Sequence, residues 1–98
     1  MSKSDLSFLA ELESIVNDRL ANPSDSSYTA SLAAAGAKRI AQKVGEEAVE
    51  VALASVAGNS DETLDEAADL VYHLIVLLAS QGLSIDDVAK RLESRHAG

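Results

Sequence analysis

Gly58-Asn59-Ser60-Asp61 limits the architecture of this chain more than any other stretch, because it reverses direction between two long helical runs. One run extends from about Ala37 to Ala57, and the other from about Asp61 to Gln81. Gly58 suits the C-terminal cap of the first, where a positive φ is commonly needed. Asn59 or Ser60 suits the N-cap of the second, and Asn59 with Glu62 three residues on predicts a capping box. A link this short makes the two helices an antiparallel hairpin. The remaining sequence agrees with an all-α fold: one proline, Pro23, no β-type alternation, and abundant alanine and leucine. A helix is predicted from near Asp5 to about Ala21, with Leu6, Leu9, Leu12, Ile15, Val16 and Leu20 at helical spacing. The stretch ANPSDSS then breaks the chain. A short helix, YTASLAAA, follows, capped by Ser27 or Thr29, and Gly36 interrupts or bends it. Ser84 is predicted to cap a last helix, IDDVAKRLESRH. Asp86 and Asp87 in its first turn, and Arg95 and His96 at its end, match the helix dipole. Residues 1–98 are read as a single domain.

A net charge of −8 and a pI near 4.5 argue against nucleic-acid or anionic-membrane partners, which need clustered Lys and Arg. There is no cysteine, hence no disulfide framework and no thiolate chemistry. The start, MSKSDLSFLAELE, lacks a long apolar signal core, and the longest apolar run, LVYHLIVLLA, is too short to span a bilayer and contains His73. A soluble, cytoplasmic protein is expected. Leu70 to Ala79 is apolar almost all round, the mark of a helix enclosed on most sides. Two long and two smaller helices can hardly enclose it, so a homodimer is expected whose paired hairpins form a four-helix-bundle core.

Against this apolar background, each long helix carries an acidic stripe. Glu46 and Glu50 are one turn apart, as are Glu47 and Glu50; on the next helix Glu62 precedes Glu66 by one turn, and Asp69 follows it by another. With the reversal centred on Gly58, Glu50 lies level with Glu66, Glu47 with Asp69, and Lys43 with His73. Carboxylates facing one another at close range repel, and partial burial strengthens the repulsion. A cation resolves the conflict. Oxygen-only ligands suit Mg²⁺ or Mn²⁺ better than zinc, and Mg²⁺ binds best through a few carboxylates plus substrate phosphates. The pattern therefore predicts a metal site for a phosphorylated ligand. Either stripe alone is most often a solvated helix face; the two together, level and flanked by apolar residues, carry the prediction.

Other residues have two readings. His73 suits a hydrogen-bonded core histidine or a substrate contact. Lys43, with Lys38 and Arg39 on the same helix, suits a substrate phosphate or salt bridges to nearby acids. Tyr28 and Thr29 suit a helix start or a nucleoside contact. A di-iron bundle is disfavoured, because that architecture wants a Glu-x-x-His pair on each of two helices, whereas here His73 follows Asp69 by four and the other long helix has no second pair.

KVGEEAVEVALA followed by DEAADLVYHLIVLL resembles the phosphoribosyl-ATP pyrophosphohydrolase family of histidine biosynthesis and, more broadly, the MazG-type all-α nucleotide pyrophosphohydrolases. SSYTASLAAAGAKRIAQKVGEEA and LSIDDVAKRLESRH are similar to the histidine-pathway branch, and the likeness covers nearly the whole chain. It implies Mg²⁺-dependent hydrolysis of phosphoribosyl-ATP to phosphoribosyl-AMP and pyrophosphate by a homodimer. Glu47, Glu50, Glu66 and Asp69 match the family's metal-ligand positions, and Glu46 matches the extra acidic position beside them. Many bacterial relatives carry a fused cyclohydrolase domain; a chain this short has no room for one, so that step is expected of a separate protein. On this reading Glu46 orients or deprotonates the attacking water, and Lys43 holds the leaving pyrophosphate. The alternatives are a house-cleaning nucleoside triphosphate pyrophosphatase with the same metal core and a non-catalytic acidic helical dimer.

Overall fold

A computed structural model describes residues 6–97, which form five helices: α1 (Ser7–Ala21), α2 (Tyr28–Ala35), α3 (Ala37–Val56), α4 (Ser60–Ser80) and α5 (Ile85–His96). No strand occurs among the described residues. The predicted start of the first helix at Asp5 lies outside them; α1 begins at Ser7 after Leu6. Gly36 interrupts the chain, ending α2 and preceding α3, so the two are separate helices. Ser27 is the N-cap of α2: its hydroxyl accepts from the Ala30 N–H at 3.1 Å.

α3 and α4 form the predicted antiparallel hairpin and the main packed interface of the molecule. Their link is a Schellman turn. Gly58 sits at φ +78°, its N–H bonds to the Ser55 carbonyl at 3.1 Å, and the Asn59 N–H bonds to the Ala54 carbonyl at 3.3 Å. The Asn59 side chain then accepts from the Glu62 N–H at 2.9 Å. The capping box expected here is only half formed, because the Asn59 N–H that Glu62 would have taken is already committed to ending α3. The full box forms instead at α5, where Ser84 and Asp87 satisfy each other's N–H groups at 3.0 Å each.

Val16, Leu32, Ile40, Ile75 and Val76 make the core, one or two residues from each of α1 to α4. Hence α1 and α2 cover one side of the hairpin. α5 is held more loosely: none of its residues is buried, and a bond from the Ile85 N–H to a Glu13 carboxylate oxygen, 2.6 Å, ties its start to α1. From Leu70 to Ala79 no residue is exposed, though six of the ten remain only half-buried. The radius of gyration is 14.8 Å, against about 13 Å for a compact domain of this length. The excess goes with apolar side chains left open: Val49, Leu53 and Val56 run along one face of α3, and Leu64 stands on α4. No single helix among the described residues is long and apolar enough to cross a membrane.

Candidate functional site

The hairpin register decides which acids meet. Positions three and four apart share a helix face, so Lys43, Glu47 and Glu50 of α3 look across at Glu66, Asp69 and His73 of α4. Glu47, Glu66 and Asp69 each bring one carboxylate oxygen to within 4.8 Å of the others. Glu47 is buried, Glu66 half-buried and Asp69 exposed, so the cluster opens from the helix interface towards solvent. Glu50 is exposed at its edge, close enough to Glu66 and Glu47 to be shifted by both. The level pairs predicted from the turn, Glu50 with Glu66 and Glu47 with Asp69, are therefore neighbours in space.

The electrostatics are those of an anionic cluster lacking enough positive charge. Glu66 is pushed up from an ordinary value of 4.5 to about 7, first by its hydrogen bond with Glu50, then by desolvation, then by the charges of Glu50, Glu47 and Asp69. Glu50 is held below the ordinary range, first by its side-chain interaction with Glu66 and then by that with Glu47, with Lys43 adding a smaller attraction. Glu66 thus holds its proton to a higher pH than an isolated carboxyl does. Its Oε2 is buried without a hydrogen-bond partner. Buried polar atoms are seldom left unpaired, and an orphan oxygen among carboxylates is a donor that could serve a cation. All donors here are oxygens, which fits Mg²⁺ or Mn²⁺ and not a nitrogen- or sulfur-seeking metal.

Lys43 supplies the nearest positive charge, with Nζ 3.5 Å from Glu47 Oε1 and 3.9 Å from Glu46 Oε1. Glu46 itself turns away from the cluster: it is exposed and accepts from Gln42 Nε2 at 2.9 Å, one turn back on the same helix. Lys38 and Arg39 are exposed and are not brought to the acids. Lys38 is about 13 Å from Glu47 along α3, at 1.5 Å per residue, and lines a separate cleft of about 500 Å³ with Ala33, Ile40, Leu77 and Gln81. A second cleft, about 400 Å³, lies against the acids themselves, walled by Glu50, Glu62, Glu66, Leu53, Ala54 and Ala57.

His73 is buried beside the cluster, its Nδ1 2.8 Å from the Asp69 carbonyl and 3.9 Å from Glu47 Oε1. Nδ1–H donates to that carbonyl, which leaves Nε2 to accept from the Tyr28 hydroxyl at 2.9 Å. Both ring nitrogens have protein partners. Next to this bond, Thr29 and Tyr72 join through their hydroxyls, so α2 is fastened to α4 twice. Tyr72 carried no signal in the sequence; its place beside His73 on α4 meant nothing until α2 was laid across it.

Residues 9–96 match the profile of the family described as phosphoribosyl-ATP pyrophosphohydrolase. The chain is also similar to the histidine biosynthesis bifunctional protein HisIE of several bacteria. It is 57% identical to that of Photobacterium profundum over 91 residues, covering 93% of this chain and 44% of the relative. For Vibrio cholerae the identity is 54% over 94 residues, 96% of this chain and 45% of the relative. For Campylobacter jejuni it is 53% over 92 residues, 94% and 44%. This chain spans less than half the length of these relatives. An all-α hairpin with facing carboxylates and a match from the first helix to the last lead to one conclusion: the chain belongs to the phosphoribosyl-ATP pyrophosphohydrolase family.

Proposed function

We propose that this chain hydrolyses phosphoribosyl-ATP to phosphoribosyl-AMP and pyrophosphate, with Mg²⁺ as the required cation, as one all-α nucleotide pyrophosphohydrolase domain acting in the cytoplasm. The observation that carries the proposal is the meeting of Glu47, Glu66 and Asp69 across the hairpin, with a buried oxygen of Glu66 left without a partner. Glu47, Glu50, Glu66 and Asp69 would hold the metal. When bound, Mg²⁺ neutralises the polyphosphate and stabilises charge developing as the P–O bond breaks.

The chain's own residues do the rest. Glu46, outside the metal set and open to solvent, orients the attacking water and accepts its proton, which requires release from Gln42. Lys43, already poised over Glu47 as a counter-charge, moves to the leaving pyrophosphate. Lys38 and Arg39 lie more than two turns before Glu47, a distance suited to the far phosphate of so long a substrate. His73, with both nitrogens engaged, walls the site and contacts substrate by its edge.

A homodimer is part of the proposal. The exposed stripe Val49, Leu53 and Val56, with Leu64 beside it, runs past the acidic cleft, and the protomer is more open than its length requires. Sedimentation at micromolar concentration should give the mass of two chains; a one-chain mass would remove this part.

Product analysis with phosphoribosyl-ATP and Mg²⁺ tests the activity directly. Stoichiometric pyrophosphate and phosphoribosyl-AMP are expected. A stronger preference for deoxynucleoside triphosphates would point to a house-cleaning enzyme. No turnover of either, with no effect of millimolar Mg²⁺ on stability, would leave only an acidic helical interaction module.

A further inference from the structure

We infer that Tyr28 is a base-binding residue: its half-exposed ring is a fixed platform on which the purine of the nucleotide stacks. The inference rests on the proposed nucleotide chemistry of the neighbouring acids. Four observations carry it.

First, Tyr28 is not needed to start α2, because Ser27 supplies the cap through its bond to the Ala30 N–H. Second, the residue is not core. It is 50% exposed, whereas its neighbour Thr29 is 5% exposed and makes the buried tie to Tyr72. Third, the ring is held rigidly. Its hydroxyl donates to His73 Nε2 at 2.9 Å, Tyr72 stacks alongside with centroids 6.1 Å apart and planes at 27°, and the His73 ring meets it edge-on at 5.8 Å. An exposed aromatic held on several sides loses little freedom when a flat ligand lands on it, and every nucleobase has a face to offer. Fourth, the position is right for a nucleoside. Only the His73 imidazole stands between the Tyr28 hydroxyl and Glu47 Oε1, with 2.9 Å on one side and 3.9 Å on the other. A phosphate bound at the acids therefore leaves about a sugar's width to the ring. Only three residues in a hundred of this chain are aromatic, yet both tyrosines converge on this spot.

The test separates stacking from latching. Tyr28→Leu removes the ring and its bond to His73; Tyr28→Phe keeps the ring and removes only the bond. With phosphoribosyl-ATP and Mg²⁺, Tyr28→Leu should raise KM about tenfold while kcat changes far less. Inhibition by pyrophosphate, which has no base, should hold its strength in the same variant. Tyr28→Phe should lose much less than Tyr28→Leu. Equal losses in the two variants would make Tyr28 a latch and overturn the platform, as would an unaltered KM in Tyr28→Leu.

A second measurement needs no turnover. The chain has no tryptophan, so Tyr28→Trp creates a single reporter. Its fluorescence should be quenched by Mg–ATP and not by Mg–tripolyphosphate; an equal response to both, or none to Mg–ATP, would overturn the inference. If the unsubstituted protein releases no pyrophosphate, the proposed reaction falls, and this fluorescence comparison still decides the stacking.

Discussion

The two halves of α4 each bury a polar side chain, with opposite outcomes. In the outer half, Glu66 has a buried oxygen with no partner and sits among acids that repel it. In the inner half, His73 is buried with both nitrogens bonded, one to the Asp69 carbonyl and one to Tyr28. The contrast teaches how to tell a structural polar group from a functional one. A satisfied group strengthens the fold and needs no further hydrogen-bond partner from solvent or ligand. An unsatisfied one is tolerated where something outside the chain completes it.

Removing charge from the outer half, or from Glu50 of α3 beside it, should disable function and spare the fold. Glu50→Gln and Asp69→Asn are each expected to slow pyrophosphate release by more than about a hundredfold, beyond the usual effect of losing an outer-shell partner. Helix content by circular dichroism should not change. Glu66→Gln should lose activity similarly, yet raise the melting temperature of the metal-free protein, since an amide can donate to Glu50 without adding charge. Near-normal turnover in these variants would erase the distinction between the halves.

The inner half should behave in reverse. His73→Ala leaves the Tyr28 hydroxyl without its partner and opens a void, so a loss of about 2–4 kcal/mol is expected in urea unfolding. A loss under 1 kcal/mol would mean that the pairing contributes little.

Acidity and metal sharpen the comparison further. The Glu66 carboxyl binds its proton more tightly in the folded protein, up to about 7, than in the unfolded chain, near 4.5. Its contribution is therefore fully present below pH 4.5 and is lost as pH rises through 7. Glu50, shifted the other way, acts oppositely at lower pH. Between pH 5 and 8 the metal-free melting temperature should fall. Mg²⁺ at about ten times its Kd should restore about 1.4 kcal/mol, and more at the alkaline end. A melting temperature that rises over this range without metal would contradict the assignment.

The smallest effect concerns Gly45, within α3 beside these acids. A methyl group there would meet nothing within 4 Å. Gly45→Ala should stabilise α3 by about 1 kcal/mol, read as a higher urea midpoint. A drop in activity despite that gain would show that a ligand or a partner chain uses the open space.

Much of the hairpin was legible from residue order. The period of 3.6 residues puts Glu47 with Glu50 and Glu66 with Asp69, and the Gly58 turn sets them level. Contacts made by side-chain rotamers were not. Nothing in the order of residues says that Glu46 bends back to Gln42, or that the Asn59 N–H serves α3 and so leaves the capping box half made. Lys38 shares α3 with Lys43, but a little over one turn of helix takes it to a different cleft.

The helices, their reversal and the facing of two acidic stripes follow from residue order alone, because they depend on local periodicity and one turn. The orphan oxygen of Glu66, the satisfaction of His73 at both nitrogens and the half-exposure of Tyr28 beside His73 arise from long-range packing. Those outcomes depend on how α2 crosses α4 and which rotamers survive the packing, and residues 45 apart are brought together by the fold and not by any spacing along the chain.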